Sequence, residues 1–246
     1  MLFFTRSVYI VDFLEGMTDI HNHILPGIDD GSPDIATSIE MIKGMRDLGI
    51  KNCIATPHTM EDYYNNDATS IRAAYKETQQ LLENTTECDF IAGAASEYMI
   101  DGQIESIITS KNYLCIYKNY LLTELSYFQR PDHLEDIAFK ISQNDLVPIL
   151  AHPERYRYIT SIDTFKDLKL RGFELQLNLL ALTNHYGEDA FKMAFVLLEA
   201  GMYDYVGTDA HKVAHLENIK EIKVKKKHLP AIEKLLEKHK AAVNYS

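Results

Sequence analysis

A parallel α/β barrel of seven strands is the fold this 246-residue sequence predicts, on three observations. Short apolar runs alternate along the chain with amphipathic stretches, the order expected of strands buried between helices. No repeat and no linker rich in Pro, Gly or Ser divides the chain, whose length suits one large core. Polar residues gather where the apolar runs end, and that is where a parallel barrel collects its functional groups. An open doubly wound sheet is the alternative topology.

The elements follow in order. Residues 1–16 form an aromatic-rich extension interrupted by Arg6, Asp12 and Glu15. Without an apolar core before a small-residue cleavage site it reads as mature sequence, expected to pack on the barrel. The first strand is expected over 17–23. A helix over 33–48 follows from Ile35, Ile39, Ile42, Met45 and Leu48, which recur at helical spacing. Ser32 is its expected N-cap, with Pro33 in the first turn. Six more strands are expected over 52–57, 90–97, 120–125, 147–152, 173–178 and 203–208. Helices are expected over 66–82, 131–142, 161–170, 186–200 and 230–240. Residues 212–246 form a basic, helical segment with nine Lys against four Glu. Its densest run, Lys225-Lys226-Lys227, reads as a solvated helix end or loop. The whole is expected to be a single domain, with the barrel motifs on residues 17–211.

Composition narrows the function. Lys and Arg number 25 against 36 Asp and Glu, for a formal net charge of -11, which argues against a broad nucleic-acid surface. The three cysteines, Cys53, Cys88 and Cys115, form no C-x-x-C pair. Their odd number argues against a disulfide scaffold and suits a reducing, cytoplasmic setting. No apolar run approaches the ~20 residues of a membrane span. Cysteine-dependent phosphate chemistry needs C-x5-R, but Thr59, Ala94 and Leu121 stand at the arginine position. No D-x-D occurs either, so an aspartyl nucleophile of that kind is excluded.

The strand ends carry the chemistry. Strand one ends in Asp19-Ile20-His21-Asn22-His23 and runs into Asp29-Asp30-Gly31; strand two ends in Thr56-Pro57-His58. Strands three, four and five deliver Glu97, Glu124 and His152, and strand seven delivers Asp209-Ala210-His211. Strand six offers only Gln176 and Asn178, weak metal ligands. Residues two apart on a strand share a face, so His21 with His23, and Asp209 with His211, can present paired ligands. Burying so many ionisable groups together without a cation is prohibitively costly. A multinuclear site follows, and its imidazole and carboxylate donors suit zinc, manganese or iron. His133, His185, His215, His228 and His239 fall in helices or loops and are expected on the surface.

These motifs, in this order, resemble the polymerase and histidinol phosphatase (PHP) superfamily. The blocks at 19–31 and 151–156 resemble its bacterial metal-dependent protein-tyrosine phosphatases of capsule and exopolysaccharide operons, the CpsB/YwqE type. The resemblance spans about 17–211 and implies a distorted (β/α)7 TIM-like barrel. It implies three divalent ions, Mn2+ foremost, with Fe, Zn or Mg as alternatives. His21, His23, Glu97 and Asp209 would hold the first, and Glu97, Glu124 and His152 the second. Asp30, His58 and His211 would hold the third, with Asp29 replacing Asp30 if the turn is shifted by one. The implied reaction is hydrolysis of phosphotyrosine by metal-activated hydroxide, with Arg155 gripping phosphate and a metal-bound water, His58 or His211 as candidate acids. A second family arginine, expected after Asp-x-His, is missing, and Lys212 or His215 stands there instead. Tyr63, Tyr64, Phe128, Tyr156 and Tyr158 lie in loops expected to flank a phenyl ring, with Tyr156 assigned to substrate. The implied partner is the tail of a polysaccharide-synthesis tyrosine kinase. A small-molecule phosphatase, such as one for histidinol phosphate, and a phosphotyrosine-binding scaffold are the alternatives. Glu124 favours the tyrosine-phosphatase branch, since the amino-acid branch tends to carry His there.

Overall fold

Pro57 has no N–H to give a ladder, and strand two breaks beside it. The computed structural model describes residues 7–243. In it, strand two is split into β3 (Asn52–Ala55) and β4 (His58–Thr59), and strand three into β5 (Ile91–Ala94) and β6 (Glu97–Met99). The break carries each strand from one sheet to the other. A three-stranded parallel sheet joins β2 (Thr18–Asp19), β3 and β5. A six-stranded parallel sheet continues from β4 and β6 through β7 (Tyr120–Glu124), β8 (Val147–Ala151), β9 (Glu174–Asn178) and β10 (Tyr205–Gly207).

The ring closes between the first and seventh strands. Asn22 bridges Ala210 in parallel. Buried Asp19 accepts hydrogen bonds from the Thr208 amide at 3.0 Å and the Thr208 hydroxyl at 2.7 Å. The first strand therefore has a shorter ladder than its apolar run predicts, because side chains take over the pairing. The result is the distorted seven-stranded barrel, and the open sheet is ruled out.

Helices α1 (Ile35–Asp47), α2 (Ala68–Leu82), α4 (Leu134–Gln143), α5 (Ile162–Leu170) and α6 (Glu188–Glu199) lie within the expected spans or overlap them closely. Two short helices, α3 (Ile104–Ser110) and α7 (Val213–Lys220), carry too few turns to stand out as periodic sequence. The α1 cap is corrected: Asp34 accepts from the Thr37 amide at 2.8 Å, while the Ser32 hydroxyl donates to the Asp34 carbonyl.

Part of the N-terminal extension is sewn to the basic tail. β1 (Ser7–Tyr9) pairs antiparallel with β11 (Lys223–Lys225), and Ile10 and Leu14 behind it are fully buried. Lys225 thus ends a strand, rather than lying in a helix end or loop. α8 (Leu229–Ala242) follows, and Lys240 Nζ donates to the Phe13 and Glu15 carbonyls. Residues 1–6 of the extension lie outside the described residues. Among the described residues no helix is long and apolar enough to cross a membrane.

Candidate metal centre

The expected donors gather on one rim of the barrel, either beyond a strand's C-terminal end or just past the break that splits strands two and three. His21 and His23 follow β2, His58 opens β4, Glu97 opens β6, and Glu124 closes β7. His152 follows β8, while Asp209 and His211 follow β10. His152 (φ 34°) and Asp209 (φ 50°) adopt left-handed backbone that costs a non-glycine residue about 1–2 kcal/mol. Glycine makes room for the loop over the site. A Cβ on Gly31 would fall 2.1 Å from the His23 carbonyl oxygen.

The donors converge on shared oxygens. Glu97 Oε2 lies 3.2 Å from His21 Nε2, 3.5 Å from His23 Nε2 and 3.1 Å from His58 Nδ1. Asp209 Oδ1 lies 3.4 Å from both His21 Nε2 and His23 Nε2. On the other side, Glu97 Oε1 is 3.0 Å from His152 Nε2, and Glu124 Oε1 is 3.0 Å from His58 Nδ1. Asp30 Oδ1 lies 3.5 Å from both His58 Nε2 and His211 Nε2. His58 thus turns one ring nitrogen to Glu97 and Glu124 and the other to Asp30, facing two of the three groupings instead of one.

Hydrogen bonding tests whether these residues fit metal ions. His21 Nε2, His23 Nε2, His58 Nδ1, His152 Nδ1, Glu97 Oε2 and both Glu124 oxygens are buried without a hydrogen-bond partner. Each such atom costs about 1–3 kcal/mol when nothing satisfies it. The ligand atoms form four overlapping groups, each within 4.8 Å: His21/His23/Asp209, His21/Glu97/His152, His58/Glu97/Glu124 and His23/Asp30/His58/His211. Nitrogen and oxygen donors in overlapping groups suit a multinuclear centre of divalent cations.

The charges agree. Burial opposes protonation of His21, but Glu97 and Asp209 outweigh it and raise its pKa to about 9. Burial also opposes charge on Glu97 and Asp209, yet the facing histidines hold both well below the usual carboxylate range. Protons on imidazole here balance carboxylates that cations are suited to balance.

A surrounding shell orients the donors. His21 Nδ1 pairs with Gln176 Oε1 at 2.8 Å, and Asn178 Nδ2 donates to Asp209 Oδ2 at 2.8 Å. Strand six therefore supplies positioning groups rather than ligands. Of the adjacent aspartates, Asp30 faces His58 and His211, while Asp29 Oδ2 sits 2.8 Å from His23 Nδ1 and accepts from the His58 amide. Burial tends to raise the Asp29 pKa, but His23 prevails and it falls to about 2.

The outer wall differs from expectation. Arg155 Nη1 donates to Asp209 Oδ2 at 2.8 Å, and its guanidinium lies 4.5 Å from the Tyr127 ring centre and 4.2 Å from that of Tyr186. Tyr127, Phe128, Arg155, Arg157 and Tyr186 line a cavity of about 380 Å³. Tyr127, Arg157 and Tyr186 escaped the sequence reading. Tyr127 and Arg157 neighbour residues it singled out, but loop residues have no fixed spacing to show which way they face. Tyr156 is corrected: it is 1% exposed, and its hydroxyl bonds to the Ala151 carbonyl and the Leu125 amide. It buttresses the wall and leaves no surface for substrate. Tyr64 stacks on His58, Tyr63 is exposed, and the Tyr158 hydroxyl donates to the Ser126 carbonyl.

Two of the histidines expected on the surface are also corrected. His239, on the inward face of α8, is fully buried, and His228 is nearly so, against Phe195. His185 and His215 lie at the rim, where His215 Nδ1 accepts from the His211 amide at 3.3 Å. Lys212, the other substitute for the missing arginine, is exposed.

Comparisons with known proteins agree with this geometry. The family described as capsular polysaccharide synthesis, CpsB/CapC, matches residues 17–237. Tyrosine-protein phosphatase YwqE of Bacillus subtilis is 31% identical over 200 residues, covering 80% of this chain and 78% of that protein. The putative tyrosine-protein phosphatase CapC of Staphylococcus aureus is 28% identical over 204 residues, covering 81% and 78%. A solved structure from work on YwqE and Streptococcus pneumoniae CpsB, described as unique metal-dependent tyrosine phosphatases, superposes with a TM-score of 0.74 at 28% identity. That match covers 90% of this chain and 95% of the other. A Listeria monocytogenes lactonase, at 16% identity and a TM-score of 0.53, shares the fold alone over 92% of each chain. With the family matching nearly the whole barrel and its donors in place, the chain belongs to the CpsB/CapC family and is a metal-dependent phosphatase of the CpsB/YwqE type.

Proposed function

We propose that this chain hydrolyses phosphotyrosine in proteins, and that its substrate is the tail of a polysaccharide-synthesis tyrosine kinase in the cytoplasm. The observation that carries the reading is a buried imidazole–carboxylate cluster that meets an aromatic cavity at Arg155. Tyr127, Phe128 and Tyr186 offer faces to a flat phenyl ring, and the names of the relatives point to the same substrate class.

The site is proposed to hold three divalent ions, Mn2+ foremost. His21, His23, Glu97 and Asp209 would hold the first, and Glu97, Glu124 and His152 the second, with His58 Nδ1 facing it. Asp30, His58 and His211 would hold the third. Bound divalent cations supply charge neutralisation for phosphoryl oxygens and a nucleophilic water near neutral pH.

The chain's own groups do the rest. Arg155, held between two tyrosine rings, presents a fixed guanidinium to phosphate and exchanges part of its contact with Asp209 for it. The aromatic wall aligns the ring and excludes water from one side of the phosphate. A phenol with a pKa of ~10 leaves more easily than an alcohol, so departure needs little acid assistance, and none is asked of His58 and His211 while they hold an ion.

The test compares phosphotyrosine peptide, phosphoserine peptide and histidinol phosphate on Mn2+-loaded protein, with and without chelator. Turnover is expected for phosphotyrosine and lost with chelator. Preference for histidinol phosphate, or full activity after metal removal, defeats the reading.

A further inference from the structure

Two arginines line the aromatic cavity, and only one is committed. Arg155 is tied to Asp209 and clasped by Tyr127 and Tyr186. Arg157 is exposed and has no acidic partner among the described residues. Its guanidinium lies against Gly187, the neighbour of Tyr186: a Cβ there would fall 3.5 Å from Arg157 Nη2. Beside it Phe128 stands 95% exposed, a large apolar ring left in water at the cavity's edge. An unpaired cation and an uncovered ring at the lip of one cavity suit a ligand that covers both.

We infer that Arg157 is a specificity-determining residue that pairs with a carboxylate flanking the phosphotyrosine of an acidic peptide. The inference rests on the phosphotyrosine reading above. The phosphate must sit at the inner cluster, beside Arg155. The phenyl ring then spans the aromatic wall, and the peptide backbone emerges at the lip. Arg157, exposed where Arg155 is largely covered, is therefore left to a second anionic group. The chain carries a net charge of -11, so an acidic peptide meets general repulsion and gains from a local cation at its landing point.

The experiment uses the full chain loaded with Mn2+ and three phosphotyrosine peptides that differ only in a flanking Glu, Gln or Lys. In the unaltered protein kcat/KM is expected to rank Glu above Gln above Lys, with about fivefold between the first two, the scale of one exposed ion pair. R157Q should level the ranking, R157E should invert it, and R157K should restore it. The preference should shrink as salt is raised. Equal rates on all three peptides, or an unchanged ranking in R157E, overturn the inference while leaving the phosphotyrosine reading intact. Turnover of 4-nitrophenyl phosphate with none of any peptide overturns both.

Discussion

His21 and His239 are both fully buried and meet opposite ends of the first barrel strand. His21 stands beyond the C-terminal end, where Glu97 and Asp209 overcome the cost of burial and raise its pKa to about 9. His239 reaches the other end from α8, pairing through Nε2 with the Thr18 carbonyl at 2.8 Å. Its Nδ1 accepts from the Val206 amide at 3.2 Å. With only backbone dipoles to answer it, burial wins and the pKa drops to about 4. One residue type at one degree of burial thus gives an imidazole whose charge is favoured by carboxylates at the rim and a neutral clip at the base. Burial does not make a histidine a ligand. The carboxylates facing it do, together with the hydrogen bonds it is denied.

The contrast can be broken first at the rim. Glu97→Gln removes the oxygen charge that three imidazoles share. It should lower kcat/KM on an aryl phosphate by about 10³-fold or more, the equivalent of several kcal/mol of transition-state stabilisation. Metal content should fall with it. Activity within tenfold of the unaltered protein would show that the cluster does not carry the chemistry.

A smaller effect is expected one step out. Gln176→Ala leaves His21 in place but frees its ring to turn. Metal affinity should weaken by about 10- to 100-fold, measured by calorimetric titration, while the fold persists. Unchanged affinity would mean that packing alone sets the ring, as it does for an ordinary core histidine.

The smallest effect belongs to the base. The unfolded chain takes up a proton near the ordinary histidine pKa of 6.5, while native His239 resists until about 4. The unfolded state therefore binds more protons in that window, and stability falls as pH drops from about 6.5 toward 4. The loss at pH 5 is about 2 kcal/mol relative to neutral pH. Urea unfolding of metal-loaded protein at pH 7 and pH 5 should show a smaller drop for His239→Gln. An identical drop in both would assign the acid sensitivity to other groups.

The same division explains what could be read from the chain. His21-x-His23 and Asp209-x-His211 were legible as motifs because a spacing of two fits strand geometry, although all four residues lie just beyond their ladders and Asp209 turns left-handed. The positions of Tyr127, Tyr186 and Arg157 were not, because loops have no such period. Asp29 and Asp30 were indistinguishable as neighbours until the turn aimed one at His23 and the other at His58 and His211. His239 looked like a surface residue because the last helix is rich in lysine, and its burial depends on which face meets the barrel. The break at Pro57 was written in the sequence as a missing donor, but its consequence, a strand shared between two sheets, was not.

By itself, then, the sequence determined the order of the seven barrel strands and of the longer helices, and the donor types that each strand end delivers. It also determined the absence of a cysteine or aspartyl nucleophile of the usual spacing. All of these follow from local rules of periodicity, valence and spacing. Only the tertiary structure decided which carboxylate oxygen faces which imidazole, which histidine is charged, and which arginine is left without a partner. Those depend on distances between strands far apart in the chain. There a few ångströms in a medium of low dielectric separate a metal ligand from a buried hydrogen-bond clip.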